Sequence, residues 1–247
     1  MPQIDVCLSP ELYKLCDQEN SIVVVIDILR ATSAICTAFE FGVDKVIPVD
    51  SVEKAQEYKD KGFLVGAERN GKMLEGFDFG NSPYSYTDPR IKNQPVVITT
   101  TNGTRAIELA KNNHMVVIGA FTNISALCEW LADQNKDVLL LCSGWKGRTN
   151  LEDSMFAGAV VDRLFEHPTY DESYSDAALA ARHLFLLAEE DPQVFLRNSS
   201  HRQRLADLNL KEDIKYSLQV DKTEVIPVLR DGELVRLEVE KPSAAKS

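Results

Sequence analysis

The sequence has no run of lysines or arginines, and its 27 basic side chains face 38 acidic ones, a net charge of −11. Nucleic acids and anionic membrane surfaces are bound through clustered positive charge, so we expect neither as a partner. Long apolar runs are also absent, because stretches such as Ile22–Ile26 fall far short of the roughly 20 residues that span a bilayer. With no signal-peptide pattern at its start, the sequence predicts a cytoplasmic protein.

Disulfide and metal-binding patterns are missing as well. The five cysteines form no Cys-x-x-Cys pair, so we predict neither a disulfide framework nor a zinc ribbon. The four histidines form no His-x-His or Glu-x-x-His pair, and we interpret each of them as structural. The composition is that of a globular protein, 44% hydrophobic and 26% charged, without a linker-like break. We therefore predict a single domain over residues 1–247 and leave the oligomeric state open, a homo-oligomer included.

Apolar, largely β-branched runs alternate with helical stretches over the first two thirds of the chain. The first run, Ile22–Asp27, is continuously apolar up to its aspartate, which is typical of a strand covered on both faces. Further strands are predicted at 45–49, 63–67, 96–100, 115–119 and 138–142, with helices between most of them. Strands that alternate with helices favour a largely parallel sheet between two helix layers. The predicted fold is α/β, with three layers α/β/α.

The last third of the sequence changes pattern. Two amphipathic stretches, 177–189 and 192–208, are predicted as peripheral helices. Asp231 and Gly232 then form an Asp-Gly pair between two apolar segments, which is a strong signal for a β-hairpin with a type I′ turn. We therefore expect a mixed central sheet with antiparallel strands added at its end.

The functional site is expected where the predicted strands end. In open α/β sheets, ligands bind beyond the carboxyl ends of the parallel strands. The residues at these ends are unusually polar, and they are Asp27, Arg30, Glu68, Arg69, 99–105 and 142–153. The stretch from Gly66 to Pro95 is too long for an ordinary connection, and such long loops are usually functional.

Four carboxylates at strand or helix ends are candidate metal ligands. Asp27, Glu68, Glu152 and Asp153 supply an oxygen-rich set of the kind that suits Mg²⁺. Simpler interpretations stay open for each of them taken alone. Asp27 is equally explained as a cap of the next helix, and the Glu152-Asp153 pair as favourable charges in a helical first turn.

Two loops have features of an anion-binding site. Thr99–Arg105 places hydroxyl groups, a glycine and backbone N–H donors where a helix begins, but a threonine-rich turn with a solvated arginine explains it equally well. Residues 142–149 have the Cys-x5-Arg spacing of thiolate phosphatases, with Cys142 at the nucleophile position and Arg148 as a phosphate ligand. We favour a phosphate-cradling loop, walled by Trp145, over a nucleophilic cysteine.

Five motifs occur in order between roughly residues 20 and 165, namely Ile26–Ser33, Gly66–Gly71, Gly76–Pro83, Thr99–Arg105 and the pair Glu152-Asp153. Each motif is short and weak by itself. Their joint order and spacing resemble the 2-phosphosulfolactate phosphatase family, whereas the last third of the chain is less diagnostic.

The resemblance implies a Mg²⁺-dependent phosphatase that hydrolyses 2-phospho-3-sulfolactate to 3-sulfolactate and phosphate, a step towards coenzyme M. It implies that Asp27, Glu68 and Asp153 act in catalysis and, together with Glu152, hold the metal. A substrate that is a small phosphorylated, sulfonated acid needs several cationic, amide and hydroxyl donors. The candidates are Arg30, Arg69, Asn81, Ser82, Thr101, Asn102, Gly103, Thr104, Arg105, Cys142 and Arg148.

Three alternatives stay open on the sequence alone. Attack by water and a phospho-enzyme intermediate are both compatible with these residues. The substrate would be another small phosphorylated acid if the source makes no coenzyme M. A non-catalytic anion-binding protein with the same fold is the alternative from a different class, although the presence of all four carboxylates argues against it.

Overall fold

The computed structural model describes residues 1–16, 20–170 and 175–239. Its strands are β1 (Ile4–Cys7), β2 (Ile22–Ile26), β3 (Lys45–Pro48), β4 (Leu64–Arg69), β5 (Lys72–Met73), β6 (Pro95–Thr99), β7 (Met115–Gly119), β8 (Val138–Cys142), β9 (Pro227–Arg230) and β10 (Glu233–Arg236). Its helices are α1 (Tyr13–Cys16), α2 (Ala31–Glu40), α3 (Val52–Asp60), α4 (Gly103–Ala110), α5 (Ile124–Gln134), α6 (Leu151–Phe165), α7 (Asp176–Ala188), α8 (Pro192–Phe195), α9 (Ser200–Asp207) and α10 (Lys211–Ser217). The predicted domain also includes 17–19, 171–174 and 240–247, which lie outside the described residues.

The strands form one sheet in the order β1-β8-β2-β7-β9-β10-β3-β6-β4-β5. It contains two parallel sets, β1-β8-β2-β7 and β3-β6-β4, and its helices complete three layers, so the predicted mixed α/β/α fold is confirmed. β9 and β10 form the predicted hairpin, and Asp231 and Gly232 both have the positive φ of a type I′ turn. The prediction that the antiparallel strands lie at the end of the sheet is wrong, because the hairpin joins β7 to β3 in its middle.

Residues from the ends of both parallel sets meet in one place. Three antiparallel pairings separate the sets, so their strands run in opposite directions along the sheet. The right-handed twist between neighbouring strands, about 20–25° per step, reduces the angle between the two sets. Asp27, which follows β2, and Glu68 and Thr100, at the ends of β4 and β6, line the same pocket.

The helices cover the sheet through close packing. α6 packs on β2 and β8 and is itself covered by α7. A β-carbon at Gly158 of α6 would lie 1.9 Å from the carbonyl oxygen of Ala181 in α7, so only glycine allows this close approach. A second, smaller core cluster lies beneath α3 and consists of Ile47, Val49, Ala55, Val65 and Val97. In the described ranges, no helix combines the length and the apolarity needed to cross a membrane.

The predicted helix at 192–208 is two helices, α8 and α9, separated by a 3₁₀ turn at Leu196–Asn198. Ser199 begins α9 by accepting a hydrogen bond from the N–H of Arg202. α9 buries one face of this predicted peripheral helix, with His201 and Leu205 directed inwards. Helical periodicity shows which side of a helix is apolar, but it does not show what that side packs against.

Candidate functional site

A pocket lies where the loops after four strands meet α9. Its cavity volume is about 50 Å³, and the space including its open mouth is about 480 Å³. The strand ends contribute Asp27, Arg30, Glu68 and Thr100–Asn102, together with Asn81 from the long loop. Trp145 and Lys146 come from the loop after β8, and His201, Arg204 and Leu205 come from α9. The pocket therefore combines residues from the predicted strand ends with residues from the last third of the chain.

Asp27 is the buried carboxylate that follows β2. Burial raises its pKa to about 6, while His201 and the Ala31 N–H oppose the shift and the charges of Glu68 and Glu152 add to it. Its carboxylate accepts one long hydrogen bond, 3.4 Å from the Ala31 nitrogen. The net effect of burial and of the neighbouring carboxylates disfavours the charged form of Asp27, although His201 and the Ala31 N–H oppose that effect.

Gly103 explains how α4 approaches this carboxylate so closely. A β-carbon at position 103 would lie 3.0 Å from Oδ2 of Asp27 and 2.7 Å from Cβ of Ala31. The N-terminus of α4, with its partial positive charge, therefore stands next to Asp27. In the first turn of α4, the N–H of Thr104 donates to Oγ1 of Thr100, and Oγ1 of Thr104 donates to the carbonyl oxygen of Thr100, both at 3.0 Å. The structure places Gly103 and Thr104 behind the pocket wall, where they shape it.

Glu68 is the second carboxylate of the pocket and lies in β4. It accepts hydrogen bonds from the N–H of Gly71 and from Nδ2 of Asn81, the latter at 3.2 Å. Gly71 has φ +83°, and a β-carbon there would lie 2.6 Å from Leu208, so the turn requires glycine. The long loop 66–95 therefore orients Glu68 through Asn81.

Asp153 and Glu152 lie beneath the pocket and not in its wall. Asp153 accepts hydrogen bonds from the N–H groups of Ile28 at 2.9 Å and Gly144 at 3.1 Å, which ties the loops after β2 and β8 together. Burial, with the charges of Asp27 and Glu152 adding to it, raises the pKa of Asp153 well above its ordinary value. Asp153 therefore links the loop after β2 to the loop after β8.

The four predicted carboxylates lie near one another, because the charges of Glu68 and Glu152 raise the pKa of Asp27, and those of Asp27 and Glu152 raise the pKa of Asp153. Within the described parts of the chain, however, no group of three or more His, Cys, Asp or Glu side chains is arranged to hold a metal ion. The start of α6 turns Asp153 towards strand-end amides and Glu152 towards α9. Of the four predicted metal ligands, Asp27 and Glu68 line the pocket.

Sequence reasoning missed a histidine–carboxylate pair that joins α6 to α9. Nδ1 of His201 is 2.6 Å from Oε1 of Glu152, and both side chains are buried. With Glu152 as the carboxylate, which accepts and does not donate, Nδ1 of His201 is the donor of this hydrogen bond. The imidazole stacks on Trp145 with ring centroids 5.7 Å apart and an interplanar angle of 7°. One signal was available, because His201, Arg204 and Leu205 share a helix face through their i, i+3, i+4 spacing.

Several predicted substrate ligands are held by other protein groups. Nη1 of Arg30 is 2.5 Å from a carboxylate oxygen of Asp213, and its Nη2 donates to the carbonyl of Gly71 at 3.0 Å. Ser82 donates to the second oxygen of Asp213 at 2.9 Å. Arg69 donates to the carbonyl of Glu68 at 2.7 Å and to Oγ1 of Thr99 at 3.2 Å. Arg30 lines the pocket with its charge already compensated.

Three other predicted ligands lie outside the pocket lining. The guanidinium of Arg105 pairs with Glu11 at 2.6 Å, and both side chains are about half exposed. Arg148 is exposed and bonds to Trp145 through its backbone. Cys142 is fully buried at the end of β8, and burial raises the pKa of its thiol well above the ordinary value. A neutral, buried thiol lacks the thiolate character that a nucleophile needs.

The fold and the pocket define a class: an α/β protein with two carboxylates and a helix N-terminus directed at one small, polar ligand site. A family model described as 2-phosphosulpholactate phosphatase matches residues 7–232. The chain belongs to this family of phosphoric monoester hydrolases.

Three relatives with the printed name "Probable 2-phosphosulfolactate phosphatase" are similar over most of their length. The one from Thermotoga maritima is 40% identical over 209 residues, which is 85% of this chain and 89% of the relative. The one from Caldanaerobacter subterraneus is 36% identical over 220 residues, 87% and 90% of the two chains. The one from Clostridium acetobutylicum is 35% identical over 237 residues, 94% and 100% of the two chains.

Proposed function

We propose that this protein is a Mg²⁺-dependent phosphatase that hydrolyses 2-phospho-3-sulfolactate to 3-sulfolactate and phosphate, in the cytoplasm and on a route to coenzyme M. The observation that carries the proposal is the pairing of Asp27 and Glu68 in one pocket with the N-terminus of α4. The family match and the names of the relatives support the choice of substrate.

Asp27 and Glu68 are the residues that would hold Mg²⁺. Proteins usually bind this ion through one or two carboxylates, and water and substrate phosphate oxygens complete its coordination. Burial, with the charges of Glu68 and Glu152 adding to it, raises the pKa of Asp27, so a cation bound next to this carboxylate would stabilise its charged form. When bound, the ion would neutralise negative charge on the phosphoryl oxygens during transfer.

The start of α4 would receive the phosphoryl group. Thr100, Thr101 and Asn102 line the pocket at this point. The first turn of a helix presents N–H groups that its own backbone leaves unpaired, and of these the N–H of Thr104 already donates to Oγ1 of Thr100. Helix N-termini bind phosphate well because these donors act together with the helix dipole. Asp27 stands beside the same turn, so the phosphoryl group would lie between a carboxylate and fixed donors.

His201 would transfer a proton to the leaving oxygen of the substrate. Glu152 fixes a proton on Nδ1, so Nε2 is the nitrogen that exchanges a proton with a ligand. The same carboxylate stabilises the imidazolium, and stacking on Trp145 sets the ring plane. Glu152 thus acts as a positioning residue through His201.

A phosphate-release assay tests the proposal. The substrates are 2-phospho-3-sulfolactate, phospholactate, phosphoglycolate and 3-phosphoglycerate, each with Mg²⁺ and with excess chelator. We expect the highest kcat/KM for 2-phospho-3-sulfolactate and release only when Mg²⁺ is present. Faster release from another acid would reassign the substrate, and no release from any of the four would favour a non-catalytic anion-binding protein.

A further inference from the structure

The basic side chains of the pocket are not all used by the fold. Three of them, Arg30, Lys146 and Arg204, line the pocket. Asp213 compensates the charge of Arg30 at 2.5 Å. Among the residues that the structure describes, no carboxylate forms an ion pair with Lys146 or Arg204. The pocket therefore presents two positive charges that no carboxylate of the described residues neutralises.

Both of these cationic groups lie over the ring of Trp145. Nζ of Lys146 lies 4.8 Å from the centroid of its ring, and Cζ of Arg204 lies 5.2 Å from it. A cation–π contact uses the charge of a side chain but leaves its N–H donors available. We refer to Trp145, Lys146 and Arg204 as the cationic wall.

Two arginines of α9 have a buried Nε without a hydrogen-bond partner within the described ranges, Arg202 and Arg204, and of the two Arg204 lines the pocket. Nη2 of Arg204 makes a long contact of 3.5 Å with Nε2 of His201, so the fold uses the donors of its guanidinium only weakly. Buried donors in folded proteins nearly always have a partner, so an unpaired one needs an explanation.

The cationic wall is close to the carboxylates that would hold Mg²⁺. The N–H of Gly71 donates to Glu68, and a β-carbon built on Gly71 would lie 3.8 Å from Nη2 of Arg204. One residue thus separates the acidic part of the pocket from the cationic wall. A ligand that reaches both parts is small and carries two anionic groups only a few bonds apart.

We propose that the cationic wall binds the non-reacting acid end of the substrate, its sulfonate and carboxylate, and so selects phosphorylated acids over simple phosphate monoesters. The inference rests on the proposed function for the identity of the phosphorylated end. The planar guanidinium of Arg204 donates two parallel N–H···O bonds to a sulfonate or carboxylate, and Lys146 adds a second charge. Lys146 and Arg204 are thereby specificity-determining residues, while Asp27 and the start of α4 act on the phosphoryl group.

Calorimetric titration with 3-sulfolactate, lactate and inorganic phosphate, in the presence of Mg²⁺, tests this assignment without turnover. We expect Arg204→Ala to weaken 3-sulfolactate binding by roughly 10- to 100-fold, the range for a lost charged hydrogen bond, and to leave phosphate binding unchanged. Lys146→Ala is expected to act in the same direction, and Arg204→Lys to lose less. Arg202→Ala is the matched control, because Arg202 is on the same helix and does not line the pocket.

The outcomes separate this inference from the proposed function. An equal loss of phosphate and 3-sulfolactate binding in Arg204→Ala would place the arginine on the phosphoryl group and overturn the inference. Unchanged binding in both Arg204→Ala and Lys146→Ala, or no 3-sulfolactate binding by the wild type, would overturn it as well. Lactate binding that responds like 3-sulfolactate binding assigns the carboxylate as the bound group. Arginine-dependent 3-sulfolactate binding without phosphate release from 2-phospho-3-sulfolactate would refute the proposed function alone.

Discussion

Replacing Asp27 by asparagine should inactivate the protein and stabilise it at the same time. The substitution keeps the shape of the side chain and removes its charge. The unfolded chain releases the Asp27 proton near pH 3.8, and the folded protein releases it near pH 6 because burial disfavours the carboxylate. Between these values the folded state binds more protons than the unfolded state, so the wild type loses stability as the pH rises.

The magnitude follows from the same two pKa values. A difference of about two units corresponds to a penalty of about 3 kcal/mol, which is fully present above pH 6 and falls to roughly half at pH 5. Asparagine carries no such penalty. In excess chelator, we therefore expect Asp27→Asn to be more stable than the wild type by up to about 3 kcal/mol at pH 8, with a smaller difference at pH 5. With Mg²⁺ and substrate, turnover should fall by at least about a hundredfold.

Urea unfolding at pH 5 and pH 8, followed by circular dichroism, measures the stability difference, and phosphate release measures turnover. Asp153→Asn is the matched control. The carboxylate of Asp153 accepts hydrogen bonds from two backbone N–H groups, and the NH₂ of asparagine would face one of these donors without an acceptor. That variant should lose stability. If Asp27→Asn also loses stability at pH 8 and keeps its activity, Asp27 is a helix cap and the site has been misplaced.

Other perturbations test the remaining roles. Excess chelator should abolish phosphate release and added Mg²⁺ should restore it; full activity of protein that elemental analysis shows to be metal-free would refute the metal requirement. Cys142→Ser should keep most of the activity because the thiol is buried and neutral, so a folded but inactive serine variant would identify a nucleophile. His201→Gln should lower kcat by about a hundredfold or more with little change in KM, and a change confined to KM would assign His201 to binding.

The parallel part of the fold could be predicted because its signals are local. β2 is fully buried and reads as one apolar run, and the Asp231-Gly232 turn fixes the pairing of β9 with β10. The place of that hairpin in the sheet depends on contacts between residues far apart in the chain, such as Val117 with Val228. No local pattern encodes such a pairing, so the sequence alone favoured the end of the sheet.

The candidate site was predictable to the extent that strand ends define it. Asp27, Glu68 and the loop after β6 follow directly from the rule that ligands bind at the carboxyl ends of parallel strands. The rule names the positions but not the direction of each side chain. Asp153 follows the same strand-end logic, yet its carboxylate is used by the N–H groups of Ile28 and Gly144.

The contribution of α9 shows why composition and local spacing could not complete the site. Each of its polar residues is, by itself, typical of an exposed helix, and a lone histidine there is usually structural. The functional role of His201 follows from its contact with Glu152, which lies 49 positions earlier in the chain and is fully buried. A buried carboxylate without a partner lowers the stability of the folded protein. The pair Glu152-Asp153 at the start of a buried helix therefore required partners from elsewhere in the chain. Asking which groups compensate each buried charge would have directed attention to the histidine and, through the helix face it shares, to Arg204.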